Sequence, residues 1–292
     1  MPLLAIGVAT LDIVNLVDVY PKEDEKVRAI AQSVRRGGNA ANTLAVLSQL
    51  GHECYWAGVL AGDSASRFIR EELDSSGIDC RYAVIQSSGQ SPTSYITLSK
   101  ATGSRTIVHH RQLREFTAAD FLTVDLEPLS WVHFEGRNIP ELPGMFARLV
   151  KFPAIRTSLE VEKPREGIER LFPLADLLFF SRDYVHSRGF DVAEAFLRQV
   201  RQECRGDAIL VCPWGEQGAY ASGSVGQLCY SPAYSPDRVI ETLGAGDVFN
   251  AGVIDGLLHE LGIDKALERA CRLAGRKCGQ EGFDNLAGVA HE

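Results

Sequence analysis

The sequence predicts an α/β fold: a mainly parallel sheet with helices on both faces, and a smaller second sheet beside it. Three observations carry this expectation. Short apolar runs alternate with helical stretches along most of the chain. Glycines open helical patterns at two places, Gly37-Gly38 and Gly244-Ala-Gly246. Residues 11–35 and 92–110 break the rhythm, with period-two strands and no helix between them.

In chain order, residues 3–9 read as the first strand and 38–50 as a helix. Residues 54–59 form the next strand, and 63–76 a helix that Gly77 stops. Buried strands are expected at 130–135, 157–161, 176–181 and 208–212, separated by helices at 141–150, 164–172 and 192–203. Thr117-Ala-Ala-Asp120 has capping-box spacing, with Asp in place of Glu. Two helices, 245–261 and 265–279, each apolar on one side, close the chain. The second sheet takes its strands from 14–20, 27–34, 94–99 and 104–110. The expected division is therefore a large domain (1–10, 36–91 and 111–292) and a small β lid (11–35 and 92–110). An open strand face on the lid suits a dimer interface or a closing cover. In parallel sheets, ligands sit beyond the carboxyl ends of the strands.

Composition narrows the function. Among 292 residues, Lys plus Arg is 30 and Asp plus Glu is 38, a net charge of −8. That balance argues against nucleic acid as the ligand. No run approaches the roughly 18 apolar residues of a membrane span. The apolar start of the chain lacks a basic flank and is broken by Asp12, Asn15 and Asp18, so it reads as a strand and the protein as cytoplasmic. Seven cysteines, with no Cys-x-x-Cys pair, exclude a disulfide framework or a zinc knuckle and suggest reduced thiols. No two histidines have metal-ligand spacing on a helix, so no protein-only metal site is expected.

The sharpest chemistry lies in Gly244-Ala245-Gly246-Asp247. Small residues at a helix start let an anion approach free backbone amides. A carboxylate there would repel a resting phosphate, but it suits deprotonation of a hydroxyl beside a developing anion. An ordinary helix cap with flexible glycines explains the same residues. No Walker A run occurs, and the third glycine of a dinucleotide fingerprint is missing, which disfavours an NAD-dependent oxidoreductase. In Gly37-Gly38-Asn39-Ala-Ala-Asn42, two amides three residues apart share a helical face and suit a neutral polyol. The alternative is a turn with an Asn cap. Asp12, after the first strand, can accept from sugar hydroxyls, whereas Asp24 alone reads as a solvated charge. Glu160 and Glu162 share one strand face. Gly215-Glu216-Gln217-Gly218 forms a tight turn, either beside a nucleotide or within a hairpin.

The Gly-Gly-Asn-Ala-Ala-Asn and Thr-Leu-Gly-Ala-Gly-Asp-Val-Phe-Asn segments, in this order, resemble the two signatures of the ribokinase-like (PfkB) carbohydrate kinase family. Segments 20–24, 36–39, 102–107, 135–138, 161–166, 275–279 and 282–284 resemble that family's ketohexose kinases, so the likeness spans nearly the whole chain. The resemblance implies a ribokinase-like three-layer sandwich with a β-clasp. It implies transfer of phosphate from ATP, with Mg²⁺ and K⁺, to a ketohexose. By that resemblance Asp247 is the base, and Gly244, Ala245 and Gly246 form the anion hole. Asp12, Gly38, Asn39 and Asn42 bind the sugar. Asp24 reaches the sugar of a neighbouring subunit in a clasped homodimer. Arg105 and Lys163 lie near the phosphates, and Gly215 to Gly218, Cys271 and Cys278 lie at the ATP site.

Three departures stand out. Glu241 replaces the family's Asp, which bears on the monovalent cation. Ser181-Arg-Asp-Tyr184 replaces an Asn-x-x-Glu motif. Arg111 and Arg114 follow His109-His110 and add positive charge near the lid. With Arg137, they open the rival reading of an anionic sugar as substrate. A nucleoside kinase lacks an assignable stacking platform. A non-catalytic sugar or nucleotide binder conflicts with the intact Asp247 and Gly-Ala-Gly turn.

Overall fold

The computed structural model describes residues 1–223 and 226–289. The chain starts with β1 (Pro2–Ile6), then leaves for a second sheet as β2 (Thr10–Val17) and β3 (Ala31–Gly37). It returns through helix α1 (Asn39–Gln49) to β4 (Glu53–Ala57), β5 (Val59–Ala61), α2 (Ser64–Ser75), β6 (Ile78–Asp79) and β7 (Val84–Gln86). A second excursion forms β8 (Thr93–Ser99) and β9 (Arg105–His110). After α3 (Ala118–Phe121) the alternation is regular: β10 (Trp131–Glu135), α4 (Leu142–Leu149), β11 (Arg156–Val161), β12 (Leu177–Phe180), α5 (Arg182–Ser187), α6 (Ala193–Val200) and β13 (Ile209–Pro213). A hairpin of β14 (Ala219–Ser222) and β15 (Leu228–Ser231) precedes α7 (Ala245–Leu258) and α8 (Ile263–Cys278).

The main sheet has nine strands in the order β15-β14-β13-β12-β11-β10-β1-β4-β6. Its strands are parallel except in the hairpin at one edge. Strand alternation sorts the apolar side chains onto two faces. Leu4, Ile6, Val132 and Phe134 face a core closed by α3 to α6. Leu3, Ala5, Trp56 and Trp131 face the other, closed by α1, α2, α7 and α8. The result is the expected three-layer α/β sandwich. The second sheet has the order β3-β2-β8-β9, with β2 and β8 parallel and its outer pairs antiparallel. A short parallel pair, β5 with β7, stands apart. Among the described residues, no helix is long and apolar enough to cross a membrane.

Several expectations need correction. The first strand ends at Ile6 because the chain must turn at Gly7 to reach the second sheet. The strand expected over 54–59 splits at Gly58 into β4 and β5, which belong to different sheets. The strand expected over 27–34 begins only at Ala31, and that over 14–20 ends at Val17. Between them lies a charged loop in which Asp24 has φ of 60°. The helix expected over 164–172 is a 3₁₀ segment, Ile168–Leu174, with Pro173 inside it. Proline denies an α-helix its hydrogen bond and is better accommodated in a short tight turn. The helix expected over 192–203 is α6 followed by a 3₁₀ turn, Arg201–Glu203. The Thr117–Asp120 capping box forms as expected. All seven cysteines are free thiols. Of the division expected from sequence, residues 224–225 and 290–292 lie outside the described ones.

Candidate active site

A cleft of about 490 Å³ opens between the two sheets. One wall is the carboxyl end of the main sheet: Val8 beyond β1, Glu135 of β10, Glu160 of β11, Ser181 beyond β12 and Pro213 of β13. This is the place at which parallel sheets bind ligands. The opposite wall comes from the second sheet, with Asp12, Ser94, Arg105, Ile107 and His109. The floor is the N-terminus of α7.

Gly244 caps α7 with φ of 78°, a left-handed backbone that favours glycine. A Cβ there would overlap the Phe283 ring, so conformation and space both require glycine. The Ala245 amide already donates to Thr242 O at 3.2 Å. The Gly246 and Asp247 amides lack an acceptor within the helix, and nothing lies within 4 Å of where a Gly246 Cβ would stand. Ala245 itself does not line the cleft, so Gly246 and Asp247 present the better-placed donors.

Asp247 is 6% exposed, so little water reaches its carboxylate. Asn42 Nδ2 donates to Asp247 Oδ2 at 2.8 Å, and Arg36 Nη1 donates to Asn42 Oδ1 at 3.0 Å. Burial raises the proton affinity of Asp247 well above the ordinary carboxylate range; the Asn42 bond opposes this, and Glu162 and Glu135 add to it. A carboxylate so placed takes up a proton more readily than one in water, as a general base requires. Asn42 thus reaches Asp247 in this structure, as well as facing the cleft.

Gly38, with φ of 111°, brings the backbone against Val8 O, where a Cβ would overlap that oxygen. The turn delivers Asn39 into the cleft, where its Nδ2 lies 3.3 Å from both oxygens of Glu160. Asn250 Nδ2, one turn along α7, donates to Glu160 Oε1 at 3.2 Å. Burial, then the charges of Asp247 and Glu135, push Glu160 well up. Glu135, pushed up to about 7 by burial despite Arg137, accepts from Val8 N at 2.9 Å. Sequence reasoning gave Glu135, Asn250 and Arg36 no role. Their legible signal is a charged or amide residue at a strand's carboxyl end or inside an apolar helix.

The turn before α7 is tied down by charge. Glu241 pairs with Arg35 of the second sheet at 2.6 Å and with Lys277 of α8 at 2.9 Å. The Lys277 side chain is fully buried, and its ammonium lies over the Phe283 ring at 5.5 Å. Burial alone would raise Glu241, but bonds from Lys277 and Arg35 hold it below the ordinary range.

Residues 3–287 match the family model described as "pfkB family carbohydrate kinase". The chain belongs to the pfkB family of carbohydrate kinases. Mouse ketohexokinase is 40% identical to it over 292 residues, covering 97% of this chain and 98% of that protein. A fructosamine kinase of Bacillus subtilis is 26% identical over 97% of this chain and 92% of its own length. In fold, the chain matches an Arabidopsis thaliana ribokinase solved with ribose and ATP, with a TM-score of 0.80 and 19% identity over 96% of this chain and 93% of that one. A PfkB protein from Polaromonas matches with a TM-score of 0.81 and 22% identity over the full length of both chains.

The cleft gathers Asp12, Gly38, Asn39, Asn42, Arg105, Lys163, Gly244, Gly246 and Asp247. Other residues implicated by the resemblance lie elsewhere. Asp24 is exposed in the β2–β3 loop. Gly215 to Gly218 form a 3₁₀ turn between β13 and β14 and do not line the cleft. Cys271 lines a separate hollow with Tyr230 to Tyr234 and Arg272. Cys278 does not line the cleft; its carbonyl accepts from Ile240 N at 2.7 Å. Ser181 lines the cleft and also caps α5 by accepting from Tyr184 N at 3.0 Å. Arg111 pairs with Glu115, and Arg114 with Asp120, and neither lines the cleft. Arg137 does line it, but pairs with Glu115 at 3.0 Å.

Proposed function

We propose that this carbohydrate kinase transfers the γ-phosphoryl group of ATP, supplied as the magnesium complex, to a neutral ketohexose. D-Fructose giving D-fructose 1-phosphate is the leading case. The observation that carries this reading is the buried Asp247 at the mouth of α7, in a cleft whose lining includes the amides of Asn39, Asn42 and Asn250 and the carboxylate of Asp12. Asp12, Gly38 and Asn39 hold the sugar hydroxyls. Asn42 steadies both sugar and base. Asp247 orients the attacking hydroxyl and takes its proton late. Helix-terminal amides, Arg105 and Lys163 meet the charge spreading over the transferring group. Gly215 to Gly218, with Cys271 and Cys278, would flank the adenine. The second sheet would close as a lid and exclude water. Mg²⁺ enters on the nucleotide phosphates as part of the substrate.

The pairing of Arg111 and Arg114 with carboxylates favours a neutral sugar over an anionic one. A K⁺ held by the Glu241 carboxylate does not fit these residues, because Arg35 and Lys277 already occupy it. A homodimer joined through the second sheets, in the cytoplasm, completes the reading. Tyr95 and Val108, register partners on β8 and β9, are exposed apolar side chains on that sheet and support such pairing. In a confirmed dimer, Asp24→Ala should raise the KM for sugar and leave that for ATP unchanged; an unchanged sugar KM removes Asp24 from the site.

The deciding experiment measures ADP release with Mg·ATP against D-fructose, other ketoses, ribose, adenosine, fructose 1-phosphate and fructose 6-phosphate. Turnover on neutral ketohexoses supports the proposal. Turnover confined to the phosphorylated sugars overturns the neutral specificity.

A further inference from the structure

At the far end of α7 from the cleft, three side chains from two distant parts of the sequence converge. His52 Nε2 lies 2.8 Å from Asp255 Oδ1, and His259 Nδ1 lies 3.3 Å from the same oxygen. All three candidate donor atoms lie within 4.8 Å of one another. The Asp255 and His52 side chains are 0% and 2% exposed, while that of His259 is 52% exposed and leaves a path from solvent. Asp255 Oδ2 pairs with Arg269 Nη2 of α8 at 2.6 Å, which fixes the orientation of the carboxylate. We propose that His52, Asp255 and His259 form a binding site for a borderline divalent cation, with Zn²⁺ as the type case.

The argument rests on donor type and spacing. Two imidazole nitrogens and one carboxylate oxygen are the donors that Zn²⁺, Co²⁺ and Ni²⁺ prefer. Tetrahedral Zn²⁺ with bonds of about 2.0–2.1 Å places its ligand atoms roughly 3.3 Å apart. The observed 2.8 and 3.3 Å therefore need only small side-chain movements. Water completes the fourth position. Mg²⁺ demands octahedral oxygen ligands, so the site does not compete for the metal carried by ATP.

Metal binding requires the ligating nitrogens to give up their protons. His52 then carries its proton on Nδ1, a buried atom with no hydrogen-bond partner. His259 gives up the contact of its Nδ1 with the Asp255 carbonyl oxygen at 2.9 Å and carries its proton on Nε2, on a side chain half open to water. The Arg269 guanidinium already balances Asp255 and repels an added cation, which places affinity below that of an uncompensated carboxylate site. Asp255 lies eight residues beyond Asp247, about 12 Å along the helix at roughly 1.5 Å per residue. The ion would thus staple α7 to the α1–β4 connection without touching the chemistry.

The test uses full-length protein stripped with a chelator, desalted and titrated with CoCl₂, then with ZnCl₂ as competitor. The expected result is one equivalent of Co²⁺ with tetrahedral ligand-field absorption and no thiolate charge-transfer band. His259→Ala, a partly exposed change that the fold tolerates, should weaken binding by about tenfold or more. It should also abolish the Zn²⁺-dependent rise in Tm while leaving sugar-kinase turnover unchanged. Absence of a bound equivalent, equal binding by His259→Ala, or a thiolate band assigning the ion to cysteines overturns the proposal.

Discussion

The two ends of α7 hold two buried carboxylates in opposite settings. Asp247 stands at the open end, over a left-handed glycine and unpaired helix amides, and receives one neutral amide bond from Asn42. Asp255 stands at the closed end, against a guanidinium and two imidazoles. The helix between them is buried throughout, so neither carboxylate can be hydrated to compensate. The contrast teaches what decides the role of a buried acid. Held by a guanidinium and two imidazoles, it binds elements together. Left with a single neutral donor, it holds its proton more tightly, which suits the proposed base.

Breaking the closed end should have the largest effect on stability. Asp255→Asn removes the charge facing Arg269 and should cost about 3 kcal/mol or more in chemical denaturation. A loss within experimental error would mean that the pairing contributes little. At the open end, Gly244→Ala forces a left-handed alanine into the Phe283 ring. It should cost about 1–3 kcal/mol and lower kcat more than it raises KM. Equal kcat in a stable variant would detach the turn from catalysis.

The smallest change sharpens the difference in proton affinity. The base acts when deprotonated, and burial raises its pKa, so kcat should rise with pH through a value above the ordinary carboxylate range. Asn42 stabilises the charged form, so Asn42→Ala should move that acid limb further toward higher pH. A limb that stays in place under saturating sugar and Mg·ATP would exclude the Asn42 contact as a control on Asp247.

Much of this contrast is readable in the sequence at the open end and almost none at the closed end. Gly244 to Asp247 are contiguous, and a glycine-opened helix bearing an acid has a local signature. The alternating apolar runs likewise announce the parallel sheet, whose strand ends then locate the cleft. The closed end depends on His52 meeting Asp255 across 203 residues, and helical spacing exposes only the Asp255–His259 half. Glu160 is visible as a strand-end charge, but its contacts with Asn39 and Asn250 require the β11–α7 juxtaposition. The 3₁₀ segment Ile168–Leu174 reads as an α-helix because its apolar spacing imitates one, while Pro173 within it forbids one. The two second-sheet strands beside the charged β2–β3 loop are displaced away from it, to Thr10–Val17 and Ala31–Gly37, because the β-branched residues of that loop have no strand to pair with.

The central claim is that Asp247 is the base for transfer from ATP to a ketohexose. The most direct measurement compares Asp247→Asn with the unaltered chain, by ATP-binding calorimetry and by single-turnover transfer to D-fructose at saturating Mg·ATP. The account predicts ATP affinity within a few-fold and a transfer rate lower by about 10²–10⁴. Near-normal transfer by a variant that binds ATP normally would contradict it.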